Sequence, residues 1–231
     1  MSFNGPDIFS IGLEGRDQLN SQLGGGFPPG SIVLLEGDYG AGKSALSQRF
    51  SYGFVEEDTT VTLVSTELDV SGFLDQMHSL DYDVVSPLLE EQLLYLHAEI
   101  GSGSVLQDSQ GEEERKDLLN RLMEAEVMWE QDVIVIDTFD SILRNDPKFE
   151  SLVRDDEGRQ GALEIISYLR DVIAQGKLVI LTVDPSTVDE DVISPFRSIA
   201  DVYLQLEMNE VGGEVRRSIS VQRFTGMGEQ V

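Results

Sequence analysis

The chain of 231 residues contains no cysteine and only two histidines. The absence of cysteine excludes disulfides, thiolate metal sites and cysteine nucleophiles. His78 and His97 stand far apart in the sequence, so their spacing does not suggest a shared metal ion, and we interpret both as ordinary surface or core residues. Catalytic and metal-binding hypotheses must therefore rest on carboxylates, hydroxyls and the few cations.

Basic residues are scarce, with 16 Lys and Arg against 43 Asp and Glu, which gives a formal net charge of −27. Nucleic acid is therefore not an expected partner, because its binding depends on cations that neutralise phosphates. The acidic residues are spread along the whole chain, which favours adaptation to concentrated salt, where a Debye length of about 3 Å at 1 M weakens self-repulsion. A basic protein partner is the alternative explanation.

No stretch of the sequence has the eighteen or more apolar residues of a membrane span, and the first residues, MSFNGPDIFS, lack the basic and apolar regions of a secretory signal. We therefore expect a cytoplasmic location. The length suits one large α/β domain, and no shift in composition marks a boundary, so residues 1–231 are predicted to form a single domain.

Hydrophobic periodicity predicts alternating strands and helices. Predicted strands cover residues 31–36, 61–66, 93–98, 133–138, 178–183, 202–208 and 214–224, and predicted helices cover 43–54, 70–80, 114–129 and 160–175. This order predicts a mostly parallel sheet with helices on both faces and an antiparallel C-terminal strand extension. Residues 101–117 and 145–161 are predicted loops, and the predicted core stripe of helix 70–80 is Val70, Phe73, Leu74, Met77 and Leu80.

One glycine-rich segment, GDYGAGKS, matches the phosphate-binding pattern G-x-x-x-x-G-K-[ST] between a predicted strand and a predicted helix. Glycines let the backbone approach an anion closely, so that N–H groups and the positive helix end bind phosphate. In this pattern Lys43 reaches the β- and γ-phosphates and Ser44 ligates Mg²⁺. The candidate binding residues are Gly37, Asp38, Tyr39, Gly40, Ala41, Gly42, Lys43, Ser44 and Ala45.

A second candidate site residue, Asp137, ends the apolar run VIVID. Open α/β sheets place their ligands at the carboxyl ends of the strands, and a carboxylate there can hold a water of the Mg²⁺ shell. The combination with the glycine-rich segment favours a metal site formed by Ser44 and Asp137. The alternative is that the aspartate only precedes a helix capped by Thr138, Asp140 or Ser141.

Three longer segments resemble a known family: LGGGFPPGSIVLLEGDYGAGKSALSQRF, LVSTELDVSGFLDQMHSLDYDV and DVIVIDTFDS. They are similar to the accessory ATP-binding proteins of the archaeal flagellum, or archaellum, within the RecA-like and KaiC-like group. The resemblance implies a RecA-like P-loop fold that binds ATP and Mg²⁺, forms a hexameric ring and hydrolyses ATP weakly or not at all. It also implies docking on the archaellum motor ATPase and other motor-complex proteins at the membrane-associated base, with only indirect membrane contact. With this acidity, a haloarchaeal version is expected.

The resemblance raises a question about hydrolysis at two positions. KaiC-like domains carry two adjacent glutamates after the second core strand, one of which activates water, and the matching residues here are Thr66 and Glu67. Glu67 is therefore the candidate general base, and losing such a base costs roughly 10²- to 10⁴-fold in rate. The alternative is that Glu67 is a helix-start residue favoured by the helix dipole.

KaiC-like rings also send a Lys and an Arg from a late strand to the neighbour's γ-phosphate. The matching residues here are Arg223 and Thr225, so Arg223 is the candidate arginine finger, a group that supplies about 10³- to 10⁵-fold in rate. The alternative is a solvated strand residue beside Arg216 and Arg217. Fold analogy further suggests Thr182 and Asp184 as residues near the nucleotide.

The favoured function is an ATP-binding regulatory or scaffold subunit with weak or no ATP hydrolysis. An active KaiC-like or RecA-like ATPase that uses Glu67 as base and Arg223 in trans is the alternative. A recombinase would need basic DNA-binding loops, and the acidic loops argue against it.

Overall fold

The computed structural model describes residues 8–99, 122–146, 157–211 and 214–225, which form an α/β structure around one large sheet. Its strands alternate along the chain with helices that cover the sheet. The strands are β1 (Phe9–Ser10), β2 (Gly26–Phe27), β3 (Ile32–Gly37), β4 (Val61–Ser65), β5 (Leu93–His97), β6 (Val133–Ile136), β7 (Leu178–Val183), β8 (Val202–Val211) and β9 (Glu214–Phe224).

The helices lie between these strands and differ widely in length. They are α1 (Leu19–Gln22), α2 (Lys43–Glu56), α3 (Val70–Ser79), α4 (Val85–Leu89), α5 (Phe139–Asn145), α6 (Glu157–Ile173) and α7 (Glu190–Ile199), with a 3₁₀ turn at Glu126–Trp129. Along the described ranges, no helix combines the length and the apolar character needed to cross a membrane.

The large sheet has seven strands in the order β5-β4-β6-β7-β3-β8-β9, while β1 and β2 form a separate small pair. All neighbouring strands of the large sheet run parallel except β8 and β9, which pair antiparallel. The predicted fold class, a mostly parallel sheet with an antiparallel C-terminal extension, is confirmed. Strand β3 lies between β7 and β8, so the loop that follows it sits at the middle of the carboxyl edge.

Two apolar clusters cover the two faces of the sheet, and β3 shows why its sequence has no polar alternation. Val33 and Leu35 contribute to the cluster that includes α2, whereas Ile32 and Leu34 contribute to the cluster that includes α6 and α7. A strand buried on both faces needs a continuous apolar run. The segment SIVLLEG therefore encodes a central strand.

Two predicted segments end differently in the structure. The described part of predicted helix 114–129 breaks at Ala125, whose ψ is 78°, before the 3₁₀ turn. Trp129 Nε1 donates to Leu122 O at 2.8 Å across this break. The predicted loop 145–161 is wrong at both ends, because Asn145 ends α5 and α6 already begins at Glu157. The predicted loop 101–117 lies outside the described residues.

The predicted core stripe of α3 is correct at its centre and wrong at its start. Phe73 and Met77 are fully buried, but Val70 is 52% exposed. Val70 is the first helical residue, directly after the N-cap Asp69, whose side chain accepts a hydrogen bond from Gly72 N at 2.7 Å. The chain enters the helix from solvent there, so the stripe reaches the core only one turn later.

Candidate phosphate-binding site

The glycine-rich segment forms the loop between β3 and α2, as the sequence predicts. Gly40 and Gly42 have positive φ angles of 80° and 101°, a conformation that glycine adopts without strain. A Cβ on Gly37 would lie 2.8 Å from Leu206 O, so the neighbouring strand also requires glycine there. The loop therefore leads directly into the N-terminus of α2. The first N–H groups of a helix have no partner within the helix, so they can bind an anion.

Lys43 is the first residue of α2 and is only 9% exposed. Its Nζ donates to Gly37 O at 2.6 Å and to Asp38 O at 3.1 Å, and it lies 3.9 Å from Asp184 Oδ2. These bonds hold the ammonium group against the first carbonyls of the loop, Gly37 O and Asp38 O. Carbonyl contacts of this kind are ones that phosphate oxygens can replace.

The remaining predicted binding residues line the same loop at different depths. Tyr39 is 85% exposed, and Asp38, Gly40 and Ala45 are also exposed. Ala41 is buried and Ser44 is half-buried. Such a gradient from an exposed rim to a buried base suits a ligand that enters from the carboxyl edge of the sheet.

Asp137 follows β6 at the carboxyl edge and is 3% exposed. Thr182 Oγ1 donates to its Oδ1 at 2.8 Å. Burial raises the pKa of Asp137 to about 6, and the charge of Glu67 adds to the rise, whereas hydrogen bonds from Thr182 and Ser44 and the charge of Lys43 oppose it. The structure thus brings together Ser44 and Asp137, which the sequence predicts as one metal site.

The donor atoms at this place fit Mg²⁺. A hydroxyl from Ser44 and a carboxylate from Asp137 are hard oxygen donors, which Mg²⁺ prefers. Among the described residues, no three His, Asp or Glu side chains form a group that could hold a metal alone. Mg²⁺ in nucleotide sites commonly takes one or two protein ligands together with substrate phosphates, so an incomplete protein set is the expected one.

Thr182 and Asp184, suggested by fold analogy, also lie at this edge and are buried. Asp184 N donates to Asp140 Oδ1 at 3.2 Å, and Thr187 Oγ1 donates to Asp140 Oδ2 at 2.9 Å. These bonds tie the turn after β7 to helix α5. Asp140 is therefore a structural anchor for the residue that faces Lys43.

Glu67 lies just beyond β4, is exposed, and is close enough to Asp137 to raise the pKa of that residue. Its backbone N–H donates to Ser65 Oγ at 3.3 Å. The N-cap of α3 is Asp69 rather than Glu67. The role of Glu67 as a general base stays a prediction.

Arg223 lies on β9 opposite Tyr203, near the amino end of the parallel strands. Its Nη1 donates to Arg197 O and Ala200 O, both at 2.8 Å, at the C-terminus of α7. Its side chain thus contacts the end of a helix and is placed away from the phosphate loop of its own chain. A role as a finger for a neighbouring chain stays a prediction.

The sequence reasoning missed two residues that lie against the loop from the other flank. Arg217 Nε donates to Gly40 O at 3.3 Å, and Met208, its cross-strand partner, would lie 3.8 Å from a Cβ on Gly40. The signal that would have found them is the segment VGGE, which predicts a tight turn between the last two strands. Counting the pairs back from that turn places Met208 opposite Arg217.

Comparison with known proteins gives a consistent result. The family model described as ATPase: KaiC matches residues 9–229. The archaeal flagellar ATP-binding protein FlaH of Methanocaldococcus jannaschii is 31% identical over 90% of this chain and 82% of its own length. FlaH of Sulfolobus acidocaldarius is 30% identical over 92% of this chain and 86% of its own length.

Solved structures agree with these relatives. The crystal structure of the flagellar accessory protein FlaH from Methanocaldococcus jannaschii matches with a TM-score of 0.78 and 30% identity, covering 94% of this chain and 88% of that one. A KaiC-like protein from Pyrococcus horikoshii matches with a TM-score of 0.65 and 20% identity, over 95% and 90% of the two chains, which supports the shared fold.

Proposed function

The chain belongs to the KaiC family of ATPases and, within it, to the archaeal flagellar FlaH proteins, and from that premise we propose that it binds ATP with Mg²⁺ as an archaellum-associated subunit. The observation that carries the proposal is the meeting of Lys43, Ser44 and Asp137 at one edge of the sheet. Lys43 and the N-terminus of α2 would bind the β- and γ-phosphates. Ser44 and Asp137 would hold Mg²⁺ against them.

We further propose that ATP is held rather than rapidly hydrolysed. Thr66, which stands where the family carries a first glutamate, has a hydroxyl that cannot act as a carboxylate base, and it bonds Thr138. Arg223 is engaged by carbonyls at the end of α7. Both features support a regulatory or scaffold subunit whose state is set by the bound nucleotide, through different affinities of its ATP and ADP forms for partners.

The alternative, an active ATPase, is favoured by one specific observation. The charge of Glu67 adds to the rise in the pKa of Asp137, which supports a carboxylate near the proposed metal site. A water between Glu67 and the γ-phosphate would then be activated by general base catalysis. Arg223 of one chain would complete a neighbour's site in a ring.

One experiment separates the two functions. ATP affinity and phosphate release are measured on the same sample, in molar KCl with Mg²⁺, for the wild type and Glu67→Gln. Tight binding with almost no release in both proteins supports the regulatory subunit. Steady release that falls by roughly 10²-fold or more in Glu67→Gln supports the ATPase. A wild type that does not bind ATP contradicts both.

Ring formation and motor binding belong to the same proposal and need a separate measurement. A net charge of −27 per chain makes assembly unfavourable in dilute buffer, because unscreened like charges repel. We expect ATP-dependent hexamers in molar KCl and dissociation at low salt, as measured by sedimentation, together with binding to the archaellum motor ATPase. A hexamer equally stable at low salt would count against salt adaptation.

A further inference from the structure

The residue after Asp137 has an unusual backbone. Thr138 has φ 59° and ψ 44°, the left-handed conformation that β-branched residues rarely adopt. It lies at the N-cap position of α5 but makes no side-chain capping bond there. Such an outlier persists only where surrounding contacts hold it, and residues of this kind cluster at functional sites.

The contacts that hold Thr138 are hydroxyl groups from two neighbouring strands. Its backbone N–H donates to Thr182 Oγ1 at 2.7 Å, and its own hydroxyl donates to Asp137 O at 2.6 Å. Its Oγ1 also lies in hydrogen-bond contact with Thr66 Oγ1, from the end of β4. Thr138 and Thr182 are buried, and Thr66 is half-buried.

The direction of the bond between Thr66 and Thr138 follows from counting protons. A hydroxyl has one proton to donate, and Thr138 uses its proton on Asp137 O. Thr66 must therefore donate to Thr138. Two short series of hydrogen bonds therefore end on Asp137. In the first, the Thr66 hydroxyl donates to the Thr138 hydroxyl, which donates to the Asp137 carbonyl. In the second, the Thr138 N–H donates to the Thr182 hydroxyl, which donates to the Asp137 carboxylate.

We propose that Thr66 is a positioning residue for the metal-binding carboxylate, acting through Thr138. The Thr66 hydroxyl helps to hold Thr138 in the left-handed conformation. In that conformation the Thr138 N–H donates to the Thr182 hydroxyl, which leaves the proton of that hydroxyl directed at the Asp137 carboxylate. This inference rests on the proposed function, because it concerns the Mg²⁺ that Ser44 and Asp137 would bind. It gives a residue just after β4, 72 positions before Thr138, control over the metal dependence of nucleotide binding.

The test measures ATP affinity calorimetrically in molar KCl, once with Mg²⁺ and once with EDTA. The ratio of the two affinities is the Mg²⁺ enhancement. Thr66→Val keeps the shape and removes the hydroxyl, and Thr66→Ser restores it. We expect Thr66→Val to shrink the Mg²⁺ enhancement by about 10-fold, the lower end for outer partners of metal ligands, and Thr66→Ser to keep most of it.

A matched control is available on β4, the strand that Thr66 follows. Thr62 lies on β4 four residues before Thr66, and its buried hydroxyl has no partner among the described residues. Thr62→Val makes the same chemical change, and we expect it to leave the Mg²⁺ enhancement unchanged.

Three results would overturn the proposal: a wild-type Mg²⁺ enhancement in Thr66→Val, an equal loss in Thr62→Val, or an equal loss of affinity with Mg²⁺ and EDTA. The last would show damage to the phosphate loop instead of the metal site. If Thr66→Val does not fold, Thr66→Ala is measured in its place with the same outcomes. A wild type that does not bind ATP refutes the proposed function itself, and this inference with it.

Discussion

Helix α2 buries two cations, and their surroundings differ in kind. Arg49 is 4% exposed and makes four bonds, to both carboxylate oxygens of Asp17 at 2.6 and 3.0 Å and to Ile11 O and Gly12 O at 2.6 and 2.9 Å. Lys43 is 9% exposed and bonds only two carbonyls of its own loop, with its carboxylate partner at 3.9 Å. The first cation is bound by a carboxylate and two carbonyls from another segment of the chain, and the second is held by contacts that a ligand can replace.

Helix α2 therefore carries one cation that stabilises the fold and another that is suited to binding a ligand. The planar guanidinium of Arg49 fixes the segment before α1 against the middle of the helix, using donors in a rigid fork. The compact ammonium of Lys43 has donors that reorient, which suits a phosphate that comes and goes. We expect mutations at the two positions to separate folding from nucleotide binding.

Replacing Arg49 gives the largest expected effect. Arg49→Ala should lower the free energy of unfolding by about 3 kcal/mol, because it leaves buried carbonyls and Asp17 without their partner. Asp17 is 32% exposed, so the loss belongs at the lower end of the range for buried pairs. Chemical denaturation in molar KCl measures it, with Arg16→Ala as an exposed control. A loss below about 1 kcal/mol would mean that the two cations do not differ as described.

Replacing Lys43 tests the other half of the comparison. Lys43→Ala should weaken ATP binding roughly 100-fold, since charge-assisted bonds to phosphate are lost, while the free energy of unfolding changes by less than about 1 kcal/mol. Lys177→Ala is a matched control, because Lys177 Nζ also donates to two backbone carbonyls, Glu130 O and Gln131 O, outside the loop. Unchanged ATP affinity in Lys43→Ala would refute the assignment of residues 37–45 as the phosphate-binding loop.

Two buried or half-buried carboxylates, Asp17 at Arg49 and Asp137 beside the phosphate loop, should respond to pH in opposite directions. The Arg49 hydrogen bond holds the pKa of Asp17 below its usual value, so its stabilisation is present above about pH 4 and is lost as pH falls. Burial raises the pKa of Asp137 to about 6, so its contribution is present below about pH 4 and is lost as pH rises through 6.

Metal-free unfolding curves from pH 4 to 7 check this contrast. Relative to Asp137→Asn, the wild type should lose roughly 2 to 3 kcal/mol over that range, and relative to Asp17→Asn it should not lose stability. If the stability of the wild type changes with pH in the same way relative to both variants, the surroundings of the two carboxylates do not differ as described.

The smallest expected effect concerns a third cation, Arg217, which is exposed and contacts the loop at Gly40. Arg217→Ala should weaken ATP binding about three- to tenfold, because an exposed charge is screened by solvent and salt. Arg216→Ala removes the same charge from the adjacent position, whose side chain points to the other face of the strand. Equal losses in both variants would indicate a general charge effect.

The parts of the fold that the sequence predicts are those with local signals. The run of apolar residues in β3, the glycines of the loop and the lysine at the start of α2 lie within a few residues of one another, and each restricts the backbone directly. Strands β7 and β9 match their predicted bounds, Leu178–Val183 and Glu214–Phe224. The sequence offers a helix after Asp137 only as the alternative to a metal site. Helix α5 does begin there, with Thr138 at the N-cap position, but no propensity predicts the left-handed backbone of Thr138.

The sequence by itself determined the phosphate loop and the approximate positions along the chain of the seven strands of the large sheet, because glycine geometry and hydrophobic period act over short distances. Only the tertiary structure decided that Arg49 reaches Asp17, that Thr66 bonds Thr138 and that Arg217 contacts Gly40. These contacts join residues 32, 72 and 177 positions apart. The Arg217 contact further depends on pairing register, since a shift of one residue in β9 would turn its side chain to the opposite face of the sheet.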